Sequence, residues 1–133
     1  MREVIVLGAG MTKFGNSDLT QKEMFAQAAI EALEDGQITA KDLQALFIGN
    51  VLGGFEEGQI NIAPFLASEI GMPINAPATR FEGACASATV GIRHGVLLVA
   101  SGVYDLVMVG GTERTTIMGT SLATRTFAMG SHS

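Results

Sequence analysis

Four short strand-like runs, separated by segments with helical periodicity, constrain the fold of this chain more than any other feature. They are Val4 to Leu7, Leu46 to Val51, Ala76 to Phe81 and Asp105 to Val109. Continuous apolar residues, as in Val4 to Leu7, are typical of a strand buried on both faces of a parallel sheet, and Leu46 to Val51 is predicted to be a second buried strand. Strands that alternate with helices predict an α/β fold, with a mostly parallel sheet and helices on both faces. A chain of 133 residues is long enough for one such domain.

Three segments between these runs are predicted to be helices: from after Asp18 or Thr20 to about Gly36, Ile60 to Ile70, and from Cys85 to about Gly102. Glu23 follows Thr20 at the spacing of a capping box, which is typical of a helix start. Pro64 falls in the first turns of the second, where proline is tolerated. Ile38 to Leu43 is predicted to form a single turn. From Thr115 onward no periodicity is visible, which predicts a loop-like tail.

Cys85 is the one cysteine of the chain, and it follows a Gly83-Ala84 turn at the predicted start of a helix. A helix start offers backbone N–H groups without helical partners, which stabilise negative charge. The thiolate is the nucleophilic form of cysteine, and the Cys85 N–H could donate to the oxyanion formed on attack. Cys85 is therefore the candidate nucleophile. The alternative is a buried cysteine that acts only as a small apolar residue.

Small residues follow Cys85, and Gly91 and Gly95 recur on one face of the predicted helix. Glycine inside a helix costs about 1 kcal/mol relative to alanine, so two on one face indicate the close approach of another backbone. Apolar residues on the remaining faces predict a helix buried all round; the alternative is a helix that packs only on its own sheet. His94 lies ~13 Å along the axis from Cys85 and about 180° around it. It cannot serve as the base for Cys85, and we interpret it as a polar group at a helix edge or subunit contact.

Two other patterns resemble known sites but do not meet their requirements. Gly8-Ala9-Gly10 resembles a dinucleotide fingerprint, yet a loop follows it where a phosphate site needs a helix N-terminus. A tight turn with close backbone approach explains these glycines better. Glu56 and Glu57 are predicted to lie in a solvated loop, because no other acidic or metal-binding residues converge on them, and no metal site is predicted.

Composition and charge exclude several classes of function. The net charge is -5 and the eight Lys and Arg residues are scattered, which gives no basic patch for nucleic acid. One cysteine excludes an internal disulfide and suits a reducing, cytoplasmic environment. The first residues lack the pattern of a signal peptide. The longest apolar stretch, Gly95 to Tyr104, is too short to span a membrane.

Three stretches of the sequence resemble the thiolase family, most closely the archaeal and bacterial acetoacetyl-CoA thiolase (acetyl-CoA acetyltransferase) type. They are Glu82 to Ala88, Ala100 to Glu113 and Val4 to Gly15. The resemblance implies the N-terminal half of a thiolase-like fold, with residues 1–114 as an α/β domain and residues 115–133 as the truncated start of a loop region. It implies that Cys85 is acylated by an acyl-CoA.

The same resemblance implies a thiolase-type acyltransferase that forms or cleaves 3-ketoacyl-CoA through an acyl-cysteine. Coenzyme A thioesters would be substrates, with no permanently bound cofactor, and the CoA-binding residues are not identified. The family's activating His, second Cys and Asn motif come from the C-terminal half, so this chain is expected to hold only the nucleophile and to be inactive alone. A homo-oligomer, dimer or tetramer, is implied, with the strand Ala76 to Phe81 at a subunit interface. The alternatives are another condensing enzyme (a ketoacyl synthase or hydroxymethylglutaryl-CoA synthase type) and a non-catalytic assembly subunit.

Overall fold

The computed structural model describes residues 1–131; His132 and Ser133 lie outside the described part. Three strands are present in this part: β1 (Ala45–Gly49), β2 (Ala78–Phe81) and β3 (Val107–Gly111). The helices are α1 (Gln21–Asp35), α2 (Gly53–Glu56), α3 (Ile62–Glu69), α4 (Ser87–Ala100) and α5 (Gly119–Ala128). Short 3-10 turns cover Ala40–Asp42, Ala84–Ala86 and Thr115–Met118.

The three strands form one parallel sheet in the order β2-β1-β3. Every residue of the central strand β1 is buried, as its continuous apolar sequence predicts. In the register of the sheet, Gly49 lies opposite both Phe81 and Gly111. The three strands therefore end side by side, and the residues after them meet at one edge. The α/β class with a parallel sheet is confirmed.

Helices cover both faces of the sheet. On one face, side chains of α1 and α3 pack with Leu46 and Ile48 of β1 in the hydrophobic core. On the other face, α4 lies against β1 and β3. Its glycines face the sheet: a Cβ added at Gly95 would lie 3.0 Å from Val109 Cγ2, and one at Gly91 3.2 Å from Val109 Cγ1. In this chain α4 thus packs on its own sheet through its small residues.

The opposite face of α4 is exposed and apolar. Ile92 is 52% exposed and Val96 44%. A single sheet can cover only one side of a helix, so burial all round needs further protein that these residues do not supply. The exposed residues of α1, by contrast, are polar except for Ile30.

The capping box at the start of α1 is confirmed. The Glu23 N–H donates to Thr20 Oγ1 at 3.2 Å, and the Thr20 N–H donates to Glu23 Oε2 at 2.8 Å. The Thr20 hydroxyl also donates to Glu23 Oε2, at 2.7 Å. The Thr20 N–H and hydroxyl together hold the pKa of Glu23 below its usual range, because both favour the carboxylate. The predicted single turn and the second helix are also present, the latter as the shorter α3.

The prediction of a buried strand from Val4 to Leu7 is wrong for this structure. The run pairs with no strand among the described residues, and Val6 is 88% exposed. A cleft of about 460 Å³ separates the run from β3. The run is held at its start by the Arg2 guanidinium, which donates to Tyr104 O at 2.6 Å and pairs with Asp105.

The end of this run is held against α1, where Gly8 and Gly10 make the close backbone approach expected of them. A Cβ at Gly8 would lie 2.3 Å from Ala32 O, and one at Gly10 would lie 2.1 Å from Ala28 O. Anchors at both ends keep the run in place beside the cleft, whereas a strand would need a neighbouring edge within about 5 Å.

The loop predicted from Thr115 onward is also wrong. The segment forms a 3-10 turn and the ten-residue helix α5. Two of its residues, Met118 and Thr126, are buried, so packing compensates for a sequence without strong helix signals. The boundary between residues 114 and 115 stays a prediction. No helix within residues 1–131 has the length and hydropathy needed to cross a lipid bilayer.

Candidate functional site

The carboxyl edge of the sheet brings together the residues that follow the three strands. Because Gly49, Phe81 and Gly111 are in register, Asn50, Glu82 and Thr112 begin adjacent loops. The carboxyl ends of parallel strands are the usual position of binding sites in α/β folds. Cys85 lies in the loop after β2, so the structure places the predicted nucleophile at this edge.

Cys85 lies in the 3-10 turn Ala84–Ala86, directly before α4. It is a free cysteine and is exposed in the part of the chain that the structure describes. Ala84, the residue before it, has φ 49°. This left-handed conformation costs a residue with a side chain roughly 1–2 kcal/mol. Backbone strain of this kind is concentrated at functional sites.

Several hydrogen bonds hold this turn. The Gly83 N–H donates to Ser87 Oγ at 2.9 Å, and the Ser87 hydroxyl donates to Ala84 O at 2.7 Å. The Ala84 N–H donates to Glu82 Oε1 at 2.6 Å. Among residues 1–131, the Cys85 N–H donates to no acceptor. The turn therefore presents an exposed thiol with a free N–H beside it, the pair of groups that attack on a carbonyl requires.

The distance between the sheet and the start of α4 depends on glycines. A Cβ at Gly49 would lie 2.3 Å from Ala88 N, and one at Gly111 would lie 3.1 Å from Gly49 O. The sequence predicted that another backbone approaches the helix at Gly91 and Gly95. In the structure, the closest approach of helix and strand backbones is instead at Gly49 of β1. It brings the first turn of α4 onto the end of β1, next to Cys85.

A buried polar network lies along the same edge and centres on Asn50, which is fully buried. The two hydrogens of the Asn50 Nδ2 group are shared among three acceptors: Gln21 Oε1 at 2.9 Å, Thr112 O at 2.8 Å and Glu113 Oε1 at 2.9 Å. The Asn50 N–H donates to Phe81 O at 3.2 Å. Asn50 therefore links all three strand ends to the start of α1.

Glu113 extends this network by accepting from the backbone after β1. The Val51 N–H donates to Glu113 Oε2 at 2.9 Å and the Leu52 N–H to Glu113 Oε1 at 2.8 Å. The carboxylate thereby binds the loop after β3 to the loop after β1. Glu113 itself is exposed, but its two backbone bonds and its bond from the buried Asn50 amide hold the two loops together.

The prediction that Glu56 and Glu57 lie in a solvated loop is wrong. Glu56 is 8% exposed and ends the short helix α2. Its Oε2 accepts from Gln21 Nε2 at 2.7 Å and from the Arg114 N–H at 2.6 Å. Within residues 1–131, its Oε1 is buried without a partner. The pKa of Glu56 is raised to about 7, chiefly by burial; the charges of Glu113 and Glu57 add to the rise, and the Arg114 N–H opposes it.

His94 packs against two aromatic rings of the sheet. Its ring meets Phe47 edge-on with centroids 5.1 Å apart and lies 5.0 Å from Phe81. The described residues also contain no cluster of three or more His, Cys, Asp or Glu side chains that could hold a metal ion. Within residues 1–131, no base is therefore placed for Cys85.

The sequence located Cys85 but missed the polar groups that support it. Asn50 directly follows the apolar run of β1, and Glu113 lies two residues after the glycine pair of β3. A polar residue just after the end of a buried parallel strand was the sequence signal from which this network could have been predicted. Ser87 gave no such signal, because a serine in a run of small residues is consistent with simple packing.

The sequence profile of the N-terminal domain of thiolase matches residues 4–132. The acetyl-CoA acetyltransferase of Methanocaldococcus jannaschii is 41% identical over 118 residues, which cover 87% of this chain and 30% of that protein. The acetyl-CoA acetyltransferase of Methanothermobacter thermautotrophicus is 39% identical over the same shares of both chains. This chain thus spans about a third of the length of these relatives.

A solved structure has a similar fold. The Acat5 thiolase from Ascaris suum, in complex with coenzyme A, superposes with a TM-score of 0.71 and 17% sequence identity. The match covers 82% of this chain and 28% of that one. At this identity the likeness shows the fold, and the fold agrees with the N-terminal half of a thiolase.

Proposed function

The chain belongs to the thiolase family, and from this premise we propose that it supplies the nucleophile of an acyl-CoA C-acyltransferase. Within the complete protein, Cys85 forms an acyl-cysteine on the way to making or cleaving a 3-ketoacyl-CoA. The observation that carries the proposal is the position of Cys85. It is exposed, in a strained turn at a helix start, and on the carboxyl edge of the sheet.

The reaction divides into two transfers. In the first, Cys85 Sγ attacks the thioester carbonyl, the oxyanion accepts from the Cys85 N–H, and coenzyme A leaves as its thiol after taking up a proton. In the second, an acyl-CoA that has lost a proton from its α-carbon attacks the acyl-cysteine. A carbon–carbon bond forms, the Cys85–acyl bond breaks and 3-ketoacyl-CoA is released. In the degradative direction the same steps run backwards.

Residues outside this chain must supply the proton transfers. His94 is engaged with Phe47 and Phe81, and general-base loss typically costs ~10²–10⁴ in rate. We therefore assign the base and acid to the remainder of the complete protein. Coenzyme A thioesters are substrates in this scheme, and no permanently bound cofactor takes part.

The finer points of the proposal concern assembly and location. β2 is an edge strand whose residues Thr79 and Arg80 are exposed, and an open strand edge can pair with a second chain. We assign β2 to the interface of a homo-oligomer. The single free cysteine suits a reducing compartment, which supports a cytoplasmic location.

Adduct mapping tests the assignment of Cys85. The full-length protein is incubated with acetyl-CoA, digested at low pH and analysed by mass spectrometry. We expect an acetyl group on Cys85, and a loss of turnover of at least about 10³-fold in Cys85→Ser. Ser101→Ala, at the far end of α4, is the control, and it should keep both the acetyl label on Cys85 and normal turnover. Label on another residue, or unchanged turnover in Cys85→Ser, would refute the assignment and favour the assembly-subunit alternative.

A further inference from the structure

The hydroxyl of Ser87 bridges the two residues that precede Cys85. It accepts the Gly83 N–H at 2.9 Å and donates to Ala84 O at 2.7 Å. Ser87 is only 4% exposed, so water cannot easily replace either bond. The hydroxyl thus uses its hydrogen and one of its lone pairs to hold the turn that orients Cys85.

This arrangement differs from ordinary helix capping. A serine at a helix start usually accepts from N–H groups of the first turn of its own helix. Ser87 instead accepts from Gly83, which lies before the helix. The Ser87 hydroxyl therefore does not accept from the N–H groups at the helix start. The Cys85 N–H remains free to donate to a substrate oxygen.

The bond to Ala84 O bears on the strained residue. Ala84 holds φ 49°, which glycine adopts without steric cost but alanine does not. The Ser87 hydroxyl and the Ser87 N–H both bind Ala84 O. Together they keep the Ala84 carbonyl turned into the helix, and this orientation determines where the next residue, Cys85, points.

We propose that Ser87 is a positioning residue, which holds Ala84 in its left-handed conformation and thereby aims the Cys85 thiol and N–H at the substrate. This inference rests on the proposed function of Cys85. Misplacing a reacting group by about 1 Å can cost about 10²-fold in rate, so loss of the hydroxyl should slow acylation without affecting substrate affinity.

The test uses four variants of the full-length protein and two rates. The first rate is the alkylation of Cys85 by iodoacetamide, which needs no CoA site; the second is acetyl transfer from acetyl-CoA. We expect Ser87→Ala to lower both the alkylation rate and kcat about tenfold or more, with KM for acetyl-CoA changed less than about twofold. Ser87→Thr, which keeps the hydroxyl, should retain most of both rates.

The other two variants separate positioning from folding. Adding Ala84→Gly to Ser87→Ala should restore much of the lost alkylation rate, because glycine needs no help to adopt a positive φ. Ser101→Ala is the matched control: its hydroxyl also donates to a backbone carbonyl of α4, Leu98 O at 3.1 Å, and both rates should stay unchanged.

Wild-type alkylation and kcat in Ser87→Ala would overturn the inference, as would a loss that Ser87→Thr and Ala84→Gly both fail to rescue. A purely structural serine would lower the melting temperature and leave both rates unchanged. Failure of the proposed function is distinct, since it would appear as turnover that survives Cys85→Ser. The alkylation rate would then still report on Ser87.

Discussion

The buried carboxyl of Glu56 makes the stability of the network at the carboxyl edge depend on pH. Burial raises its pKa from the ordinary 4.5 to about 7. Below pH 4.5 the carboxyl is protonated in both the closed and the opened network, so no penalty arises. As the pH rises from 4.5 to about 7, the opened form ionises first, and stability is lost until both forms are ionised.

The size of this loss follows from the two pKa values. A pKa difference of one unit corresponds to about 1.4 kcal/mol. The interval from 4.5 to about 7 therefore predicts a loss of at most about 3 kcal/mol. Glu56→Gln removes the charge, and its amide oxygen can still accept from Gln21 and Arg114. The variant should match the parent at pH 4.5 and exceed it by up to about 3 kcal/mol above pH 7.5.

Hydrogen exchange of the full-length protein measures this locally. The Arg114 N–H donates to Glu56, so its protection reports the opening of the network. Protection free energies of the peptide that contains it, corrected for intrinsic exchange, are compared between pH 4.5 and 8. Glu34→Gln, on the exposed face of α1, is the matched control and should follow the parent. A constant difference between Glu56→Gln and the parent at every pH would refute the reasoning.

Two further predictions concern assembly. Arg80→Glu places a negative charge on the exposed edge of β2 and should weaken the oligomer in analytical ultracentrifugation; an unchanged mass with intact folding would count against the β2 interface. Residues 1–133 expressed alone should associate or aggregate and lack acetyl-CoA turnover, because the apolar face of α4 is exposed and no base for Cys85 is found among residues 1–131. A monodisperse monomer with activity near that of the complete protein would refute both statements, whereas a stable, inactive oligomer would refute only the first.

Local signals in the sequence were sufficient to predict most elements of the fold. The Thr20–Glu23 capping box and the apolar run of β1 involve neighbouring residues, and both are confirmed. The run from Val4 to Leu7 has an equally clear strand sequence. Its pairing depends on a partner edge far away in the chain, and the cleft beside β3 separates it from that edge. A strand sequence therefore predicted extended backbone here but not a place in the sheet.

The candidate site shows the same difference between local and long-range signals. The placement of Cys85 in a turn before a helix was predictable because that turn and that helix are adjacent in sequence. The burial of Glu56 was not, because it depends on Gln21 and Arg114, which are brought together only by the folded sheet. The bonds of Asn50 to Glu113 and Thr112 are equally long-range. Hydrophobic periodicity contains no information on such contacts, so the network became visible only in three dimensions.

The contact of Gly49 with Ala88 has a consequence for how this protein tolerates mutation. Even the methyl group of alanine at position 49 would lie 2.3 Å from the Ala88 nitrogen, so helix and sheet would have to move apart. The turn that holds Cys85 would move with the helix. A residue on a central strand, with no functional group of its own, thus limits genetic variation at the reactive end of the molecule. During divergence, substitutions there would be removed by selection for activity even where the fold survives them.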